Sequence, residues 1–279
     1  MIIKSDWHVH SEYSYDAKNS LEVIGDNAKE QGLVNVGITD HLNFNDEKFT
    51  TDLINSVKGV TKAQQKYPFM VLGVELTPIE KPEFDYILTH PAHDGYDAPI
   101  QVKPFDIELG MSKENLKKLG VRYAIGASHW RVDKPNGRYL TPDLEIDIKE
   151  WHRQQLWLAE DNRVTILGHP WYHGKAIWYE DFTVIPTAMH EELISALKQN
   201  GKYMECNSHF FRSSYATEKF RNQYAEFLRY AFEKGVFITY GSDSHDSYSD
   251  KREIVEKYLR EVGFKDGDFS NLTEKDFWL

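Results

Sequence analysis

Cysteine is all but absent from this 279-residue sequence. Cys206 stands alone, so no disulfide can close within the chain, which suits a reducing compartment; the cytoplasm is the expected location. Positive charge is short as well: 33 Lys and Arg face 44 Asp and Glu, giving a formal charge of −11. No global field therefore draws the chain to nucleic acid or to an anionic membrane. No apolar run approaches the roughly 20 residues that span a bilayer, and Met1-Ile2-Ile3-Lys4 leads straight into a histidine motif, so neither a membrane span nor a signal peptide is expected. Internal repeats and low-complexity linkers are missing too. What is present, 41% hydrophobic and 14% aromatic residues, can bury a large core and lies within range of one α/β barrel domain spanning residues 1–279.

Short apolar runs rich in β-branched residues punctuate the chain: Val34 to Thr39, Phe69 to Val74, Tyr123 to Ala127, Val164 to Leu167 and Val236 to Tyr240. They read as buried strands of a mostly parallel sheet. Between the first two histidine motifs, Ser20 is placed as an N-cap, Leu21, Ile24 and Ala28 recur at helical spacing, and Gly32 stands where a helix-ending glycine belongs. Further helices are expected over about 51–66, 113–119, 145–161, 190–200, 217–234 and 250–262. Alternating βα units imply a closed barrel or an open doubly wound sheet. The stretch from Thr77 to about residue 110, proline-rich and carrying His90 and His93, reads as an insertion, a lid or a surface loop.

Histidines and carboxylates recur where the apolar runs end: His8-Val9-His10, Asp40-His41, Glu75, His129, His169 and Asp243-Ser244-His245. Imidazole and carboxylate bind borderline divalent metals, and these groups are too many for one ion. A multinuclear metal centre is the reading. His41, Glu75, His129, His169, Glu205 and Asp243 each fall at or just after the C-terminal end of an expected strand, where barrel active sites are assembled. An open sheet would concentrate its site at one switch point instead. Alternation in His8-Val9-His10 points both imidazoles to one side of an extended strand.

His8-Val9-His10-Ser11, Ser14-Tyr15-Asp16, Ile38-Thr39-Asp40-His41, Gly73-Val74-Glu75, Ser128-His129, Gly168-His169-Pro170, Glu205-Cys206-Asn207 and Gly241-Ser242-Asp243-Ser244-His245 follow one another in an order that resembles the PHP family, named for polymerase and histidinol phosphatase. The resemblance implies a distorted (β/α)7 TIM-like barrel with two or three divalent ions, zinc, manganese or iron, at the strand C-termini. By motif position it implies that His8, His10, Glu75 and Asp243 hold a first metal, that Glu75 bridges to a second held by His129 and His169, and that Asp16, His41 and His245 hold a third. Some relatives carry histidine where this chain has Asp16, so the third site is more oxygen-rich and favours manganese or iron over zinc. Asp40 is expected to fix the ring tautomer of neighbouring His41 without binding metal, with Glu205 and Asn207 in a similar supporting layer.

Such a centre supports hydrolysis, with Glu75 and Asp243 at the reacting metals. Three divalent ions against Asp16, Glu75 and Asp243 leave the pocket cationic, which selects a small phosphorylated substrate. A guanidinium for the phosphate oxygens is expected from Arg212, since Glu205 to Arg212 resembles the histidinol-phosphatase stretch that carries an arginine seven residues after the glutamate. Arg131 and Arg138 are second choices, and His209 is a candidate general acid. His90, His93, His152, His173 and His190 read as structural histidines, and Trp130, Trp171, Tyr172, Trp178 and Tyr179 as core or barrel rim ahead of a substrate pocket. Trp171-Tyr172-His173 and the long segment between Glu75 and His129 separate this pocket from that of a biosynthetic histidinol phosphatase, leaving other phosphomonoesters, cyclic phosphates and nucleotides open as substrates. An exonuclease fits poorly for want of a basic track. The alternatives are a metal-stabilised scaffold, as in polymerase-attached PHP domains, and an amidohydrolase acting on a non-phosphate substrate. The oligomeric state is left open.

Overall fold

The computed structural model describes residues 2–43, 47–80, 107–108, 110–129, 144–171 and 180–278. Its strands are β1 (Ser5–Val9), β2 (Asn35–Ile38), β3 (His41–Leu42), β4 (Met70–Leu76), β5 (Ile79–Glu80), β6 (Ile107–Glu108), β7 (Tyr123–Gly126), β8 (Ile166–Leu167), β9 (Tyr203–Asn207) and β10 (Phe237–Gly241). The helices between them are α1 (Leu21–Glu30), α2 (Glu47–Ala63), α3 (Lys113–Lys118), α4 (Leu144–Glu160), α5 (Thr187–Gln199), α6 (His209–Arg212), α7 (Glu218–Glu233) and α8 (Arg252–Glu261). Every expected strand and helix is found, with ends displaced by a few residues. Helix α1 starts as its sequence dictates, the Ser20 hydroxyl accepting from Val23 N at 3.2 Å, and ends before Gly32, whose φ of 66° is the left-handed turn that glycine adopts without strain.

The sheet runs β1-β2-β4-β7-β8-β9-β10, every pairing parallel, with β3 also beside β4. A parallel bridge between Val9 and Ser244 brings the first and last strands together, so the sheet is a nearly closed seven-stranded barrel with its helices outside. Strands β5 and β6 pair antiparallel, joining the two ends of the 77–110 segment; most of what lies between them falls outside the described residues.

Two cores result. The larger includes helix-face residues such as Phe220, Tyr224 and Leu228 of α7 and strand residues such as Val9, Val36 and Val74. The smaller fills the barrel, where Trp7 meets Tyr123 edge to face at 5.7 Å although their strands are not neighbours in the sheet. Glycine makes this possible: a Cβ on Gly37 would lie 1.8 Å from the Tyr123 hydroxyl, which donates to Trp7 O at 2.7 Å. Strand β1 is also bulged, with one extra residue between Asp6 and Val9 relative to β2. Trp7 belongs to the inner core and Val9 to the outer one, so the kink lies beside the paired histidines, where bulges commonly re-aim side chains.

Candidate metal centre

His8 and His10 leave the C-terminal end of β1, His41 begins β3, Glu75 lies in β4, His129 and His169 follow β7 and β8, and Asp243 and His245 follow β10. All converge at one mouth of the barrel. Two are held in left-handed backbone, Asp243 at φ 53° and His169 at φ 24°; residues other than glycine are kept there only when their surroundings impose it.

The atoms form sets that could hold ions. His8 Nε2, His10 Nε2, Glu75 Oε2 and Asp243 Oδ1 are separated by 3.1 Å between the histidines, 3.4 and 3.5 Å from His8 to the carboxylates, and 3.3 Å from His10 to each. Tetrahedral coordination with bonds of ~2.0–2.1 Å would place neighbouring ligand atoms ~3.3 Å apart. The other oxygen, Glu75 Oε1, faces His129 Nε2 at 3.3 Å and His169 Nε2 at 3.1 Å. Asp16 Oδ2 lies 3.4 Å from Nε2 of both His41 and His245, and the His10 ring stacks between those two at centroid distances of 4.3 and 4.1 Å. His41 Nδ1 approaches Glu75 Oε2 at 2.8 Å, so this carboxylate oxygen faces His8, His10 and His41 together. Imidazole nitrogens and carboxylate oxygens that converge at these separations fit cations between them.

Electrostatics lead to the same requirement. Glu75 and Glu205 are essentially without solvent contact, and buried carboxylates demand compensating charge. Burial disfavours ionisation of Glu75, but His41, His8 and His129 overcome it and hold the carboxyl well below its usual range; Asp243 behaves likewise beside His8. Burial opposes charge on His41, whose neighbours Glu75 and Asp16 nevertheless push it up to about 10, whereas burial takes His129 down to about 3. The carboxylates thus draw in protons where divalent ions would serve.

Further buried groups back the candidate ligands. Glu205 Oε1 lies 2.7 Å from His8 Nδ1, and Oε2 accepts from His169 N and from Asn207 Nδ2, which also donates to Asp243 Oδ2 at 3.2 Å. Asp40 departs from expectation: its oxygens accept from Ser11 N, Ser11 Oγ and Ser56 Oγ at 2.6–2.7 Å, so it holds the loop after His10 to helix α2 and does not orient the His41 ring. Sequence reasoning missed Thr77, whose hydroxyl lies 3.0 Å from His129 Nδ1. Its position two residues beyond Glu75, on the same face of an extended chain, was the available signal. Tyr15 was missed as well; its ring lies 5.4 Å from that of His41 and is 43% exposed at the rim.

Arg212 ends the short helix α6, donating from Nη1 to Ser208 Oγ at 3.0 Å, while Ser208 donates to Ser242 O beside Asp243. The His209 ring faces the same ground: burial lowers its pKa, Asp243 opposes, and Arg212, His169 and His245 add to the lowering. Trp171 is fully buried with His152 stacked on it, and His190 packs on Phe182 and Phe227, as structural residues would. Arg131, Arg138, His90, His93, His173, Trp130, Tyr172, Trp178 and Tyr179 lie outside the described residues. No helix among those described is long and apolar enough to cross a membrane.

Comparison with known proteins agrees with this fold. The histidinol phosphate phosphatase of Lactococcus lactis, solved with zinc, L-histidinol and phosphate, shares the fold at a TM-score of 0.64, with 18% identity and 99% of each chain covered. A probable phosphatase from Acetivibrio thermocellus is 40% identical over 73 residues, which is 26% of this chain and 29% of that protein. The PHP domain matches residues 6–209, most of the barrel, and the chain belongs to the PHP family.

Proposed function

We propose that this protein is a metal-dependent phosphoesterase that hydrolyses a small phosphate monoester. One observation carries the reading: the two oxygens of Glu75 serve different imidazole sets, Oε1 towards His129 and His169 and Oε2 towards His8, His10 and His41, as a carboxylate bridging adjacent ions would. His8, His10, Glu75 and Asp243 would hold one ion, Glu75, His129 and His169 a second, and Asp16, His41 and His245 a third. Zinc suits the imidazole-rich pair, and the Asp16 oxygen favours manganese or iron in the third. Divalent ions bound by these residues would supply a water of lowered pKa and would neutralise phosphate oxygens.

The chain's own groups do the rest. Glu205 keeps the Nδ1 proton of His8 on the far side of the ring and leaves Nε2 as a lone pair. Arg212, anchored to Ser208, offers a guanidinium to the phosphate, and His209 is placed to donate a proton to the leaving oxygen. Arg131 and Arg138 are the further candidates for the phosphate. A single barrel with an insertion at about 77–110, working in the cytoplasm, completes the proposal. Histidinol phosphate is the first substrate to try, because the Lactococcus lactis protein holds L-histidinol and phosphate.

The test is phosphate release from histidinol phosphate, nucleoside monophosphates, cyclic phosphates and an aryl phosphate, with manganese or zinc added and His10→Ala alongside. Metal-dependent turnover lost in the variant supports the reading. Unchanged activity in His10→Ala overturns the metal mechanism, and no turnover in metal-replete protein overturns the phosphoesterase in favour of a scaffold or an amidohydrolase.

A further inference from the structure

The barrel closes between β1 and β10 with little ladder. Backbone contact at this seam consists of the Val9–Ser244 bridge and two hydrogen bonds, Asp243 N to His8 O at 2.8 Å and His10 N to Ser244 O at 3.1 Å, whereas β9 and β10 are in register from Tyr203 and Phe237 through to Asn207 and Gly241. Candidate ligands stand on both sides of this thin join, His8 and His10 on one and Asp243 and His245 on the other. Their separation is set by whatever else holds the seam.

Besides the Ser242 hydroxyl, which donates to His8 O at 3.3 Å, two buried polar side chains cross it. Asp6 Oδ1 accepts from His8 N on its own strand at 3.2 Å and from Ser242 N on the far side at 2.9 Å. Asn19 Nδ2 donates to His10 O at 3.4 Å and to Ser244 O at 3.2 Å, binding the carbonyls of both sides with one amide. Tyr248 ties the two together: its hydroxyl donates to Asp6 Oδ2 at 3.2 Å and its backbone N–H to Asn19 Oδ1 at 2.9 Å. Asp6 and Asn19 are 2% and 3% exposed and Tyr248 is 4% exposed, so water cannot substitute for these bonds at little cost.

We propose that Asp6, Asn19 and Tyr248 form a side-chain stitch of positioning residues that sets the gap between the β1 ligands and the β10 ligands. This rests on the metal reading of the centre. The stitch governs the ions of the His8, His10, Asp243 set and the Asp16, His41, His245 set, which straddle the seam. The Glu75, His129, His169 set stands on and after β4, β7 and β8, away from the seam, and shares only the bridging Glu75 with the first ion, so it should feel the stitch least.

The experiment measures zinc and manganese stoichiometry and affinity by equilibrium dialysis and calorimetry for wild type, Asn19→Ala and Tyr248→Phe, with melting in chelator as a check of the ion-free fold. Tyr248→Phe removes one hydroxyl and is the milder change. The expected result is at least about tenfold weaker binding of the seam-straddling ions, the range found when groups behind metal ligands are lost, with one ion kept at wild-type affinity. Folded variants that bind every ion as wild type does would overturn the stitch, as would uniform weakening of all ions. Wild type that binds neither metal would overturn the metal reading itself.

Discussion

Glu205 Oε1 and His8 Nδ1 lie 2.7 Å apart with neither exposed to solvent, and the same carboxylate receives the backbone N–H of His169. One side chain from β9 therefore contacts candidate ligands at the ends of two other strands. Glu205→Gln should cost about tenfold or more in metal affinity, because the amide nitrogen must face either an imidazole N–H or the His169 N–H. Isothermal titration of chelator-stripped protein with zinc checks this, and an unchanged affinity would remove Glu205 from the orienting role.

Gly241 is where β10 passes that pair. An added Cβ would lie 1.8 Å from Glu205 Oε1 and 2.6 Å from His8 Cβ. Gly241→Ala should destabilise the protein by about 1–3 kcal/mol, the usual range for overpacking, and lower its metal content. Thermal melting with and without chelator separates the two effects.

Arg212 is exposed and reaches no ligand atom, its Nη1 bond going to Ser208. Arg212→Ala should leave metal content intact and raise KM for the phosphate ester far more than it lowers kcat. Equal loss of metal and turnover would mean that the arginine is structural.

His190 supplies a pH dependence away from the ligands. Burial depresses its pKa to about 4, and its Nδ1 has no hydrogen-bond partner among the described residues. Above its ordinary value near 6.5 the ring is neutral in folded and unfolded chains alike, and it adds no pH dependence. As pH falls from 6.5 towards 4 the unfolded chain takes up a proton that the folded one refuses, so stability declines, by about 3 kcal/mol at most. Below pH 4 the loss is complete. Urea unfolding in chelator at pH 7 and pH 4.5 should show a smaller difference for His190→Leu than for wild type, and equal differences would refute the assignment.

Much of this was legible because barrel architecture and metal chemistry both leave periodic marks. The apolar runs marked the strands, and ligands at their ends implied closure. His8-Val9-His10 alternation was sufficient to pair two imidazoles. Partners chosen by tertiary packing were not legible. Asp40 is adjacent to His41 in sequence, yet its carboxylate goes to Ser11 and to Ser56 of α2, which helix packing brings within reach. The β1 bulge depends on register with β2, which no single-strand pattern carries. Asn19 reads as an ordinary loop residue until Ser244, 225 positions away, is folded against it.

That separation bears on how the protein is made. Ser242, on the side of the seam that carries Asp243, lies 234 residues from His8. During synthesis the first histidine pair must wait until nearly the whole barrel has emerged before its partner carboxylate exists, and contacts so distant in sequence form late. Ions captured by the early segments alone would lack their full set of donors. A complete centre would therefore mark a closed barrel, and its loading would report that β10 has docked against β1.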